Sequence, residues 1–213
     1  MTFVEQLRRG QTLGEGPIAA WLMSRGNSVL PVYEKEIDTG KGPQLFTSKA
    51  GFAAPDLLTF NKARGPIFVE AKYKTVFTWY RSRNVWTTGI DLRHYDEYKR
   101  VAEETGLPVW LLFFHDRSTP DNKDLRWNCP LDSPTGLYGN CLSVLMHCES
   151  HRALPKDTQR LGHVGHGASG MVYWAEHSLV KLATKEDVLG AIDSGCPLPA
   201  YMSASCLPSG GSE

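Results

Sequence analysis

The stretch 54-APDLLTFNKARGPIFVEAKYK-74 decides the fold, because its two short apolar runs are interrupted by turn chemistry and end on charged groups. Leu57–Phe60 and Ile67–Val69 have strand length, and Asn61 to Pro66 between them reads as a loop, so the segment is expected to form a β-hairpin. Side chains alternate across a strand. Glu70 and Lys72 therefore share one face, while Ala71 points to the other. With Asp56 opening the neighbouring strand, its carboxylate falls beside that of Glu70. Two hard oxygen ligands at an open edge suit Mg²⁺, which takes one or two carboxylates and keeps several waters for a phosphate to displace. Lys72 sits one pleat away, placed to hold a water or to offset charge building on a phosphate.

Pro55-Asp56, thirteen residues, then Glu70-Ala71-Lys72 resembles the signature of the PD-(D/E)xK, or restriction-endonuclease-like, nuclease superfamily. The resemblance implies that Asp56 and Glu70 bind a divalent metal, that Ala71 lends its backbone carbonyl to it, and that Lys72 assists the attacking water. It also implies Mg²⁺-dependent hydrolysis of DNA phosphodiester bonds, with Mn²⁺ able to substitute. The implied fold is α/β, an αβββαβ core spanning roughly Leu13 to His115. Holliday-junction-resolvase-like members supply a further metal ligand from the first helix, which would be Glu15. Among substrates this points to branched or structured DNA. Since a four-way junction is resolved by two symmetric cuts, it also points to a homodimer. A sequence-specific restriction endonuclease and a catalytically silent binding module on the same fold are the alternatives.

The chain has 213 residues and a formal net charge of zero, which does not favour a nucleic-acid partner. The sum hides an asymmetry. Residues 60–100 carry nine Lys and Arg against four Asp and Glu, whereas residues 101–213 carry eight against thirteen. A neutral chain with a local basic surface can still bind phosphates. No run of eighteen apolar residues is present, and MTFVEQLRRGQT lacks the pattern of a secretory signal, so a cytoplasmic location and no membrane contact are expected. Five cysteines form no dense framework.

Upstream of the hairpin, Leu13 to Gly26 has helical spacing at Ile18, Ala19, Trp21 and Leu22, with Pro17 in the first turn. Glu15 then lies at the helix start, either as a carboxylate favoured by the helix dipole or as a metal ligand. Ser28 to Ile37 reads as a strand, and Asp38 to Gly51 as a loop carrying Lys41 and Lys49. Downstream, Thr75 to Ile90 predicts a second hairpin turning at Arg81-Ser82-Arg83-Asn84. Trp79 and Trp86 read as core. Arg81 and Arg83, with Lys74, are candidates for holding a DNA backbone. Asp91 to Gly106 is an amphipathic helix with Leu92, Tyr95, Tyr98, Val101 and Ala102 on one face, stopped by Gly106. His94 on this helix is read either as a surface histidine or as a group approaching the scissile phosphate. Val109 to Phe114 is a buried strand.

Residues 1–115 are thus expected to form the nuclease core. Residues 116–200 would be a C-terminal α+β extension of unassigned role, and 201–213 a disordered tail. Asp116 to Asp124 reads as a linker, Cys141 to Cys148 and Met171 to Glu176 as strands, and Lys185 to Ile192 as a helix. PTGLYGNCL and GMVYWAEHSLVKLAT resemble segments that follow nuclease cores in phage and mobile-element proteins. Cys129, Cys141, Cys148 and His151 lack the paired spacing of a structural zinc site, and free thiols are the better reading.

Overall fold

A computed structural model describes residues 15–32, 43–48, 50–154 and 170–193. In chain order these form α1 (Gly16–Ser24), β1 (Ser28–Pro31), β2 (Gln44–Phe46), β3 (Gly51–Ala53), β4 (Leu57–Asn61), β5 (Gly65–Lys74), β6 (Thr78–Tyr80), β7 (Val85–Asp91), α2 (Leu92–Thr105) and β8 (Val109–His115). There follow α3 (Asn122–Leu125), β9 (Gly136–Cys141), α4 (Leu142–Leu145), β10 (Glu149–Ala153), β11 (Met171–Ala175), β12 (Val180–Ala183) and α5 (Lys185–Asp193).

The chain is mixed α/β. A six-stranded sheet has the order β1-β4-β5-β8-β9-β12, a four-stranded sheet the order β10-β11-β7-β6, and β2 pairs with β3 alone. β4 and β5 form the expected antiparallel hairpin, with Leu57 opposite Val69. β5 and β8 run parallel, so the chain must cross over between them, and α2 lies on that crossover. Asp91 caps α2 by accepting from the Arg93 N–H (2.8 Å), and Gly106 ends it with φ +67°, a left-handed conformation glycine takes without steric cost.

Alternation along β5 and β8 divides the interior in two. Val69, Ala71, Leu112 and Phe114 face α1 and α5, where Ile18, Trp21, Val188 and Ala191 cover them. Phe68, Leu111 and Phe113 face the other way, against Tyr95, Tyr98 and Val101 of α2 and the inner side of the four-stranded sheet, where Trp86, Ile90, Val172 and Trp174 lie. Glu70 and Lys72 belong to this second face. Trp79 and Trp86 pair across β6 and β7 at 5.0 Å in an edge-to-face contact, as a core pair does.

Several elements differ from expectation. The expected strand from Ser28 ends at Pro31, and Tyr33 to Ile37 lie outside the described residues. The stretch 38–51 is not all loop: Gln44–Phe46 pairs with Gly51–Ala53, and Phe52 is buried in the core. Lys41 and Lys49 lie outside the described residues. Cys141–Cys148 is not a strand, because the chain leaves β9 at Cys141 into a helical turn that buries Leu142 and Leu145. The segment from Asp116 is tied down, not loose: the Arg117 N–H donates to the Thr75 carbonyl (3.0 Å) and the Trp79 N–H to the buried Asp124 carboxylate (3.3 Å). Beyond residue 115, β9 and β12 extend the six-stranded sheet and β10 and β11 the four-stranded one, so the later half shares its sheets with the earlier. The glycine-rich 162–169 and the tail 201–213 lie outside the described residues. Among the described residues no helix is long and apolar enough to cross a membrane.

Candidate active site

The β4–β5 register brings Asp56 to Glu70. Asp56 immediately precedes β4, its backbone carbonyl accepts from Val32 (3.0 Å), and its Oδ2 accepts from the Ala71 N–H (3.1 Å). Ala71 thus stands directly beside Asp56, with its methyl group packed into the α1 side of the sheet. Glu70 points to the α2 side with no exposed surface. Lys72, one pleat on, makes an ion pair with Glu70 Oε1. The Tyr98 hydroxyl of α2 interacts with Glu70, yet neither carboxylate oxygen meets a donor in good hydrogen-bond geometry.

Glu15 precedes α1 with helical backbone angles and is 6% exposed, as Asp56 is. It acts on the same lysine. Burial opposes the charge of Lys72, but Glu70, Asp56 and Glu15 outweigh it and hold the ammonium above the usual lysine range. Burial, then the Glu70 and Asp56 carboxylates, push the Tyr98 phenol well above its ordinary value.

His94 lies on the first turn of α2, stacked on Tyr98 at 5.9 Å between ring centres. Burial and then the Lys72 charge lower its pKa, so the structure places it by the carboxylate–lysine group and not on a remote surface. Lys74 is two residues beyond Lys72 on the same face; burial and the Lys72 charge bring it down to about 8. Across from it on β8, His115 is fully buried, stacked on Phe77 at 3.7 Å, and pushed down to about 3 by burial and by Lys74.

Arg81 and Arg83 are not at this group. They sit on the β6–β7 turn, at the far end of β7 from Asp91 and α2, a strand of seven residues and roughly 20 Å long. The Arg81 guanidinium lies over the Trp127 ring at 4.1 Å, and Arg83 acts on His151, itself stacked between Tyr80 (3.8 Å) and Tyr173 (4.5 Å). The positive surplus of residues 60–100 is accordingly spread out, since Lys62 and Arg64 lie at the opposite end of β5 from Lys72 and Lys74.

The residues fit a divalent cation by their chemistry. Glu70 carries two buried oxygens without a donor in good geometry, and three buried carboxylates surround one lysine, which leaves negative charge for a cation to balance. Among the described residues no three His, Cys, Asp or Glu side chains are grouped to hold an ion, Cys129, Cys141, Cys148 and His151 included, and Cys129 is a buried free thiol. A site of two carboxylates completed by water is the arrangement Mg²⁺ commonly uses.

The sequence placed Tyr98 on the apolar face of a helix that the resemblance sets beside the site, without naming it as a site residue; that it meets Glu70 depends on where α2 crosses β5. Glu97 was missed as well. Its Oε2 accepts from the Ala53 N–H and its Oε1 from Arg93 Nε, both at 2.8 Å, which fixes α2 against β3. The Arg93–Glu97 spacing of four residues was the available signal.

No family model and no curated protein matches the chain. Among solved structures, the chain is similar to Hjc, a Holliday junction resolvase of Archaeoglobus fulgidus, with a TM-score of 0.42 and 8% identity over 77% of this chain and 87% of that one.

Proposed function

We propose that the chain is a divalent-metal-dependent endonuclease that hydrolyses DNA phosphodiester bonds, with branched or otherwise structured DNA as substrate. The observation that carries this reading is the fully buried Glu70 carboxylate, paired with Lys72 and adjoining an Asp56 fixed by the Ala71 N–H. A buried carboxylate without good donors costs several kcal/mol, and perturbed groups of this kind concentrate where chemistry is done.

Asp56 and Glu70 would hold the cation, with the Ala71 carbonyl as a further ligand, while Glu15 acts on the site through the charge of Lys72 and is not grouped with them as a third carboxylate ligand. When bound, a cation of this kind polarises a phosphate and lowers the pKa of its water. Lys72 is held in its charged form by its carboxylate neighbours, so it donates and does not accept: its role is to orient the water and to stabilise charge on the phosphate oxygens. The Tyr98 phenol lies against Glu70 and shares in its burial. His94 and Lys74 line the same end of β5 and serve as contacts for the DNA backbone. Arg81 and Arg83, a strand's length away, would engage a more distant part of the same DNA.

A second reading, a catalytically silent binding module, draws on the direct Lys72–Glu70 ion pair, which satisfies the lysine without any ligand. Plasmid nicking separates the two. Metal-dependent nicking that disappears in Asp56→Ala, with the far-ultraviolet circular dichroism unchanged, is the expected result. Absence of cleavage on duplex, single-stranded and branched DNA with both Mg²⁺ and Mn²⁺ would sink the enzyme.

A further inference from the structure

On the α1 side of the six-stranded sheet, away from Glu70, α1 and α5 leave part of the apolar face uncovered. A cavity of about 420 Å³ opens there, with Trp21, Trp110, Leu112 and Leu182 among its walls. Its rim is cationic: Arg25 follows the end of α1, over the Trp21 ring at 5.7 Å, and Arg64 stands on the β4–β5 turn, both exposed; no acidic side chain lines the cavity among the described residues, and the acid that acts on Arg25, Asp187 of α5, is outside it. The Asn61 side chain donates to that of Asn27 (3.3 Å), bridging α1 and the turn beside the two arginines. Trp21 itself is 9% exposed, and its indole N–H is buried without an acceptor among the described residues.

We infer that this cavity is a binding site for a small organic anion, an aromatic ring system carrying one anionic group. Two tryptophans and aliphatic walls take the ring. Arg25 and Arg64 take the charge, and guanidinium groups match a carboxylate or sulfonate through paired N–H donors. Apolar walls with a few polar groups that fix orientation are the usual composition of a ligand pocket, and the volume falls within the usual range. Val69 lines the cavity while its neighbour Glu70 points to the other face, so the site is built on β5 but does not touch the carboxylate–lysine group.

The test uses the full chain in EDTA with two fluorescent probes, 8-anilinonaphthalene-1-sulfonate and its uncharged parent N-phenyl-1-naphthylamine. The sulfonate is expected to bind about tenfold more tightly than the amine, a difference of about 1.4 kcal/mol. In the Arg25→Gln/Arg64→Gln variant, whose exposed positions leave the fold intact, sulfonate affinity should fall by about the same factor while the amine is unaffected. Trp21→Phe, which removes part of the aromatic wall, should weaken both probes. Equal binding of the two probes, sulfonate binding unchanged in the double arginine variant, or no sulfonate binding at all would each overturn the inference. Glu70→Gln should bind both probes as the wild type does, so loss of nuclease activity and loss of this site are separately visible.

Discussion

Glu70 is held where a carboxylate is expensive to hold, between β5 and the aromatic face of α2, and Lys72 is the cation that makes this tolerable. Removing Lys72, whose side chain is 31% exposed, leaves the fully buried Glu70 carboxylate uncompensated. Lys72→Met should therefore cost about 3 kcal/mol of stability, whereas Glu70→Gln should cost less, since Asp56 and Glu15 still face the lysine; urea unfolding of both variants without metal checks the order. Two other groups set a pH dependence. Lys74 has its pKa lowered from 10.5 to about 8, so the unfolded chain binds more protons between those values and stability should rise with pH across that window. His115, lowered from 6.5 to about 3, makes stability fall as pH drops through that interval. Thermal unfolding of His115→Phe against wild type at pH 4 and pH 7 should show the acid loss shrinking in the variant; an unchanged acid loss would remove His115 as its cause. At this scale the Asp56, Glu70 and Lys72 juxtaposition was legible in the sequence, because hairpin register and strand alternation are local rules. Tyr98, Glu97 and the burial of His115 were not, since each depends on which element packs across from it.

Among the elements, β7 and β11 pair with Gly89 opposite Tyr173. A Cβ there would lie 2.2 Å from the Val172 carbonyl oxygen and 2.8 Å from the Tyr173 ring, and backbone cannot give way as a flexible side chain can. Gly89→Ala should therefore destabilise the chain by about 2 kcal/mol or more, read as a lowered melting temperature. A neutral outcome would mean that β7 and β11 are not paired in this register. Gly139 shows the same constraint in β9, where a Cβ would meet the Leu111 carbonyl at 2.6 Å. This explains which elements the sequence disclosed. α1, the β4–β5 hairpin, the β6–β7 hairpin, α2 and β8 announce themselves by periodicity, caps or turn residues. β9 carries two glycines chosen for close strand approach, not for strand propensity, and β2 and β3 have three residues each, too few to show alternation. The helical turn at Leu142–Leu145 was read as strand for a related reason: its apolar residues serve burial, and four residues display no helical period.

For the whole molecule, the mixed sheet with α1 and α5 on one face and α2 with a second sheet on the other leaves the carboxylate–lysine group between layers, at the end of β5 where Asp56 and α2 meet. The mixed α/β class expected from the sequence is observed; along the chain α1, β1, β4, β5, α2 and β8 follow in that order, with β2 and β3 inserted before β4 and β6 and β7 before α2. The proposed action on branched DNA requires two such sites, so sedimentation at micromolar concentration should show a dimer; a strictly monomeric species would count against branched DNA as the substrate but not against hydrolysis. The most direct measurement is cleavage of a panel of linear duplex, single strand, flap and four-way junction, with Mg²⁺ and with EDTA, by the wild type and by Lys72→Ala. The account predicts paired cuts in the junction with Mg²⁺, none in EDTA, and a loss of at least about a hundredfold in the variant, as expected for removal of a charge-stabilising donor. Sequence-dependent cutting of the plain duplex would redirect the reading to a restriction endonuclease, and binding without cutting of any substrate would contradict the central claim.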